Sequence, residues 1–127
     1  MIPILLAMAL AAPSTVADMR WHRRVLLVAA PSTGDVSVIG QRKALAGWDA
    51  EARDRDLAIV TVIGGKVEGA TDAAAALRKR YRLPEDRFVA VLIGKDGGEK
   101  LRSATPIAAE TMAATIDAMP MRRAEQR

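Results

Sequence analysis

Three compact apolar runs, Arg24–Ala30, Leu57–Ile63 and Phe88–Ile93, stand among stretches of mixed charge. Each is short, aliphatic or β-branched, and closed by Pro31, Gly64-Gly65 or Gly94. That pattern predicts strands covered on both faces. Between the first two runs, Val38, Leu45, Trp48 and Ala52 recur at helical spacing, which predicts a helix over residues 36–55. Its far end, Asp49–Asp56, is dense in mixed charge and reads as a solvated face. Between the second and third runs, Thr71 is placed to cap a helix from Asp72 to Tyr81, with Ala73, Leu77 and Tyr81 inward and Pro84 as its stop. Arg78, Lys79, Arg80 and Arg82 gather at its C-terminal end, where cations complement the helix dipole.

After the third run, Gly94-Lys95-Asp96-Gly97-Gly98 has the chemistry of a hairpin turn, and Glu99–Ser103 alternates like an exposed edge strand. Thr105-Pro106 reads as a cap with proline at the first helical position. The helix it opens runs to about Met119, with Ala108, Met112, Ile116 and Met119 on one side. Pro120 ends it, and residues 121–127 read as a frayed, charged tail. The resulting order is β-α-β-α-β-β-α. Strands joined through helices are expected to run parallel, so the first three are read as parallel and the fourth, made by the hairpin, as antiparallel. This is the order of the minimal thioredoxin-like fold: an α/β, three-layer sandwich around a four-stranded mixed sheet. A ferredoxin-like order fits poorly, and a flavodoxin-like sheet needs five parallel strands and more chain.

The chain has 127 residues, half of them apolar, which is enough for one domain and excludes disorder for its bulk. Only four aromatic residues are present, so the core is built from aliphatic side chains and Met. No cysteine is present, which removes thiol catalysis, disulfides, Cys-ligated zinc and iron–sulfur clusters. The net charge of +4 comes from the ends: Arg20, Arg23 and Arg24 against Asp18, and Arg122, Arg123 and Arg127 against Glu125. Residues 25–119 are charge-neutral. A basic stripe interleaved with aromatics, the mark of a nucleic-acid binder, is missing. The cationic ends suit weak, salt-sensitive attachment to an anionic surface.

Residues 1–12 form an apolar run too short to span a bilayer, which takes about 20 residues, but of signal-peptide length. Leu10-Ala11-Ala12 and Thr15-Val16-Ala17 both offer a small-residue cleavage site, although no Lys or Arg precedes the run. The expected division is a signal peptide over 1–17, a domain over 18–121 and a charged tail over 122–127. Export places the protein in the periplasm or outside the cell; without a signal at 1–17 it would be cytoplasmic.

Several stretches resemble one family. Arg24-Val25-Leu26-Leu27-Val28 with Ala30-Pro31-Ser32, then Leu92–Gly98 leading to Lys100-Leu101-Arg102-Ser103, and finally Ile116–Arg123 are similar to the DUF4174 family. The resemblance covers most of residues 20–123. It implies a thioredoxin- or peroxiredoxin-like fold and, by analogy with small bacterial members, an exported protein. It brings no catalytic residues, because the family's activity is not established.

In thioredoxin-like enzymes the reactive Cys lies where the first strand runs into the first helix. The matching segment here is Pro31-Ser32-Thr33-Gly34-Asp35. Hydroxyls there cannot replace a thiolate without an activating base. Ser32, Thr33 and Asp35 are expected to cap the helix. Alternatively, Ser32, Thr33, Gly34 and Asp35 bind a small anion through hydroxyls and backbone N–H groups, against which the Asp35 charge counts. Pro84 lies four residues before Phe88 and reads as a helix stop, not as the cis-proline that faces a thioredoxin active loop. His22, the one histidine, has no second metal-ligating partner nearby and reads as a surface residue. Gly64-Gly65-Lys66 fails the phosphate-loop pattern, with Val67 in the Ser/Thr position and Val60 in place of the leading glycine. The sequence therefore predicts a non-redox binding module with no cofactor, metal or catalytic residue, whose partner is a protein, an envelope component or a small ligand. The alternative is a Cys-independent enzyme using Ser32, Thr33 and Asp35 of loop 31–35, with His22 or a perturbed carboxylate within hydrogen-bond reach as its base.

Overall fold

The computed structural model describes residues 14–127; the apolar run over 1–12 lies outside them. The strands are β1 (Arg24–Ala30), β2 (Leu57–Ile63), β3 (Lys66–Glu68), β4 (Val89–Ile93) and β5 (Glu99–Ser103). The helices are α1 (Val36–Ala44), α2 (Asp49–Asp54), α3 (Ala74–Tyr81), α4 (Ala109–Asp117) and α5 (Pro120–Glu125), with a 3-10 turn at Ala17–Met19. They build one mixed sheet in the order β3-β2-β1-β4-β5.

β1 is central and buried along its whole length, and its alternating side chains feed two cores. Val25, Leu27 and Ala29 join Val60, Val62, Leu77 of α3, Val16 and Met19 on one face. Leu26, Val28 and Ala30 join Val38 of α1 and Met112 and Ile116 of α4 on the other. Helices on both faces of one sheet give the three layers and the thioredoxin-like plan expected from the element order.

The sheet differs from expectation in two ways. It has five strands, because the Gly64-Gly65 turn leads into a short β3 paired antiparallel with β2. The third main strand, β4, runs antiparallel to β1, whereas β2 is parallel to it. β3 explains the reversal. It turns the chain back along β2 as far as Thr61, and after α3 the chain enters β4 opposite Ala29, at the end where β1 finishes. Gly69 makes that return tight: its φ is +93°, and a Cβ there would stand 2.4 Å from the Ile59 carbonyl oxygen.

The helices also depart from their periodicity. The helix read over 36–55 breaks into α1 and α2 at a turn through Gly47, whose φ is +75°. Val38 and Leu45 are buried and Trp48 and Ala52 half-buried, so the apolar spacing continues across a break that spacing alone does not reveal. α3 starts at Ala74 without a side-chain cap, and its buried residues are Ala74 and Leu77. Asp72 instead accepts a hydrogen bond of 2.8 Å from the Val16 N–H, and the Thr71 N–H donates to the Ser14 carbonyl at 3.1 Å. The ordered packing thus includes Val16, two residues ahead of the expected boundary. Pro106 precedes α4 by three residues while Thr105 forms a local turn with Ser103. Pro120, read as a stop, is the first residue of α5. Residues 120–125 are therefore a packed helix and not a frayed tail.

Candidate functional site

At the C-terminal end of β1, Pro31, Ser32, Thr33 and Gly34 are all exposed. The Asp35 carboxylate accepts the Ser37 N–H at 2.8 Å and caps α1, as expected of it, whereas Ser32 and Thr33 lie ahead of the N-cap and take no part in the cap. His22 is exposed beyond the other end of β1. Seven residues at about 3.3 Å each separate it from the loop by about 20 Å, so the two form no common site. The Pro84 peptide is trans, since the described residues contain no cis bond.

Beside this loop, one layer face of the sheet is incompletely covered. α1 packs Val38 and Leu45 over Val28, but the chain turns away at Ala46-Gly47 and leaves part of β2 bare. Ile59, at mid-strand, is 44% exposed. The result is a groove of about 360 Å³ whose apolar walls are Val28, Val38, Leu45 and Ile59, with Thr61 half-buried in it. Arg42 and Asp49 also line the groove and are exposed, one on each side of the turn. Among the described residues neither forms a salt bridge. The sequence reading missed this groove. Ile59 in an apolar strand reads as core, and only Gly47 inside a helical pattern signalled that the covering helix would break.

The opposite end of the sheet holds a second polar cluster. Arg24, fully buried, donates from Nη1 to the Arg55 carbonyl at 2.7 Å and from Nη1 and Nη2 to the Glu125 carboxylate at 3.2 Å. Lys95 joins Glu125 at 2.7 Å and Asp56 at 2.8 Å. Arg122 donates to Asp54 at 2.7 Å and to Asp117 at 3.1 Å, and Arg55 forms a two-pronged pair with Asp117. Burial works against the Glu125 charge, but hydrogen bonds from Lys95 and Arg24 hold its carboxyl below the usual range. The Arg55 guanidinium, with help from Arg122, does the same for Asp117. Burial opposes the Lys95 ammonium too, yet Asp56 and Glu125 raise it above an ordinary lysine.

This cluster revises the reading of the cationic ends. Arg24 and Arg122 are consumed inside the fold, because each has carboxylates within reach once α5 packs. Arg20, which stacks on Trp21 at 4.8 Å, Arg23, Arg123 and Arg127 remain on the surface. The described residues contain no group of three potential metal ligands, and no helix among them is long and apolar enough to cross a membrane.

The profile of the family described as a domain of unknown function, DUF4174, matches residues 15–125. The chain belongs to the DUF4174 family. No curated protein matches this DUF4174 chain. Its fold is similar to solved structures of much lower sequence likeness. The reduced 2-Cys peroxiredoxin of Plasmodium vivax is 14% identical with a TM-score of 0.61, over 88% of this chain and 85% of that one. Thioredoxin peroxidase I of Plasmodium yoelii is 16% identical with a TM-score of 0.59, over 86% and 79%. StoA from Bacillus subtilis is 13% identical with a TM-score of 0.51, over 73% and 81%. These likenesses identify the DUF4174 domain as thioredoxin-like in fold. Its β1–α1 loop carries Ser32 and Thr33, and no cysteine occurs anywhere in the chain.

Proposed function

We propose that this DUF4174 protein is an exported, non-redox binding module acting in the periplasm or outside the cell. The observation that carries the reading is the loop at the β1–α1 junction, whose acidic residue is spent capping α1 while its hydroxyls face solvent without a base. Acyl or thiol chemistry there requires an activating neighbour. The one histidine is a strand's length away. An anion held by Ser32, Thr33 and Gly34 would meet the Asp35 charge at the same helix end. The expected partner is a protein, an envelope component or a small ligand.

The test is the melting temperature of the purified protein against a panel of anions, metabolites and amino acids, with product analysis of each mixture. A ligand at about 100 times its Kd adds about 2.7 kcal/mol of stability, a shift readily seen in a domain of this size. A shift without product supports the module. Conversion of any panel compound overturns it. Loss of that shift in the Ser32→Ala/Thr33→Ala double variant would move the site to the loop and favour the anion-binding alternative.

A further inference from the structure

We infer that the groove between α1 and β2 binds a small zwitterion with an apolar side chain, such as an apolar α-amino acid. The inference rests on the reading of the domain as a binding module and names its ligand. The groove's volume of about 360 Å³ lies at the lower end of the range for small-molecule sites, about 300–1,000 Å³. Its walls are apolar and its polar groups few, which is the composition such sites share. Ile59 is exposed at mid-strand, at a position where a sheet under a continuous helix would be covered.

The charges select the ligand. Arg42 and Asp49 line the same groove from the two sides of the Leu45–Gly47 turn, and among the described residues neither pairs with the other or with any third group. They are the two charged residues that line the groove, one of each sign, so a ligand seated there meets both. A simple fatty acid would satisfy Arg42 and face repulsion from Asp49; an apolar amine would do the reverse. A molecule that carries a carboxylate and an ammonium above an apolar body satisfies both, and places that body against Val28, Val38, Leu45 and Ile59.

Titration calorimetry on the purified protein with leucine, leucinamide, isocaproate and glycine tests this. Leucine should bind more tightly than leucinamide, which lacks the carboxylate, and than isocaproate, which lacks the ammonium, by about threefold each, as exposed ion pairs give. Glycine, without the apolar body, should not register. Arg42→Ala should abolish the preference over leucinamide, and Asp49→Asn the preference over isocaproate. Both side chains are exposed and unpaired, so the variants should melt with the wild type. Ile59→Trp, which fills the groove from a half-exposed position, should remove binding of all three. Leucine binding that survives Ile59→Trp, or preferences unmoved in the two charge variants, would overturn the inference. No response to leucine while another panel compound shifts the melting temperature would overturn this ligand and leave the module standing. Hydrolysis of leucinamide would overturn both.

Discussion

The Glu125 carboxylate accepts hydrogen bonds from both terminal nitrogens of Arg24, joining residues 101 positions apart. Arg24 begins the central strand and Glu125 ends the last helix, so one ion pair ties the two extremes of the domain. Removing one partner of a buried pair costs about 3–5 kcal/mol, because the remaining charge stays buried. Glu125→Gln is therefore expected to lower stability by about 3 kcal/mol, somewhat softened by Asp56, which still serves Lys95. Urea denaturation checks it; a loss under about 1 kcal/mol would mean that α5 contributes little to the fold.

The same cluster sets the pH limits. Glu125 and Asp117 have lowered folded values, so their stabilisation is present above the unfolded carboxyl range, about 4, and is lost as pH falls through the folded values. Lys95 has a raised value, so its contribution is complete below about 10.4 and fades as pH rises above that. Melting temperature should hold from about pH 5 to 10 and fall on both sides. In Glu125→Gln the acid limb should be shallower. An equal acid limb in wild type and variant would contradict this.

Glycine substitutions separate close approach from open turn. Gly69→Ala meets the Ile59 carbonyl at 2.4 Å in a left-handed conformation and should cost more than about 2 kcal/mol. Gly65→Ala has open space and no positive φ, and should be neutral or stabilising by about 0.4–1 kcal/mol. Thermal denaturation of the pair distinguishes them, and equal stabilities would contradict the close approach of Gly69, just past β3, to the β2 backbone.

Asp35→Ala should cost about 1 kcal/mol through loss of the α1 cap while leaving leucine binding unchanged, since Asp35 does not line the groove. Calorimetry and melting on one sample provide both readings. Weaker leucine binding would place the loop in the site after all.

For an exported protein, the packing of Val16 favours processing after Ala12 over processing after Ala17. The later cut would remove a residue only 4% exposed, together with its bond to Asp72. Mass spectrometry of the exported form should find Pro13 at its N-terminus; a start at Asp18 would show that the domain tolerates the loss.

The central strands were legible because a continuous apolar run has one economical use in a covered sheet, and β1, β2 and β4 lie within a residue of where the runs stand. Strand direction was not legible, because it turned on β3, three residues long and carrying Lys66 and Glu68 at its ends. The proline rules were right in kind and misapplied in place: Pro120 opens a helix as Pro106 was expected to. The loop at 31–35 was visible because its position follows from the element order. The groove and the ionic cluster were not, since both arise from distant segments: Lys95 meets Glu125 across 30 residues and Asp56 across 39.

The two margins of the sheet carry a consequence for how this protein meets others. One margin is the three-residue β3; the other is β5, which bears Glu99, Lys100 and Arg102 and whose pairing with β4 shifts register between Leu92 and Ile93. Short, charged and bulged borders resist the addition of a foreign strand. A crowded compartment rich in unfolded chains would thus find little backbone to latch onto, and recognition is left to side chains.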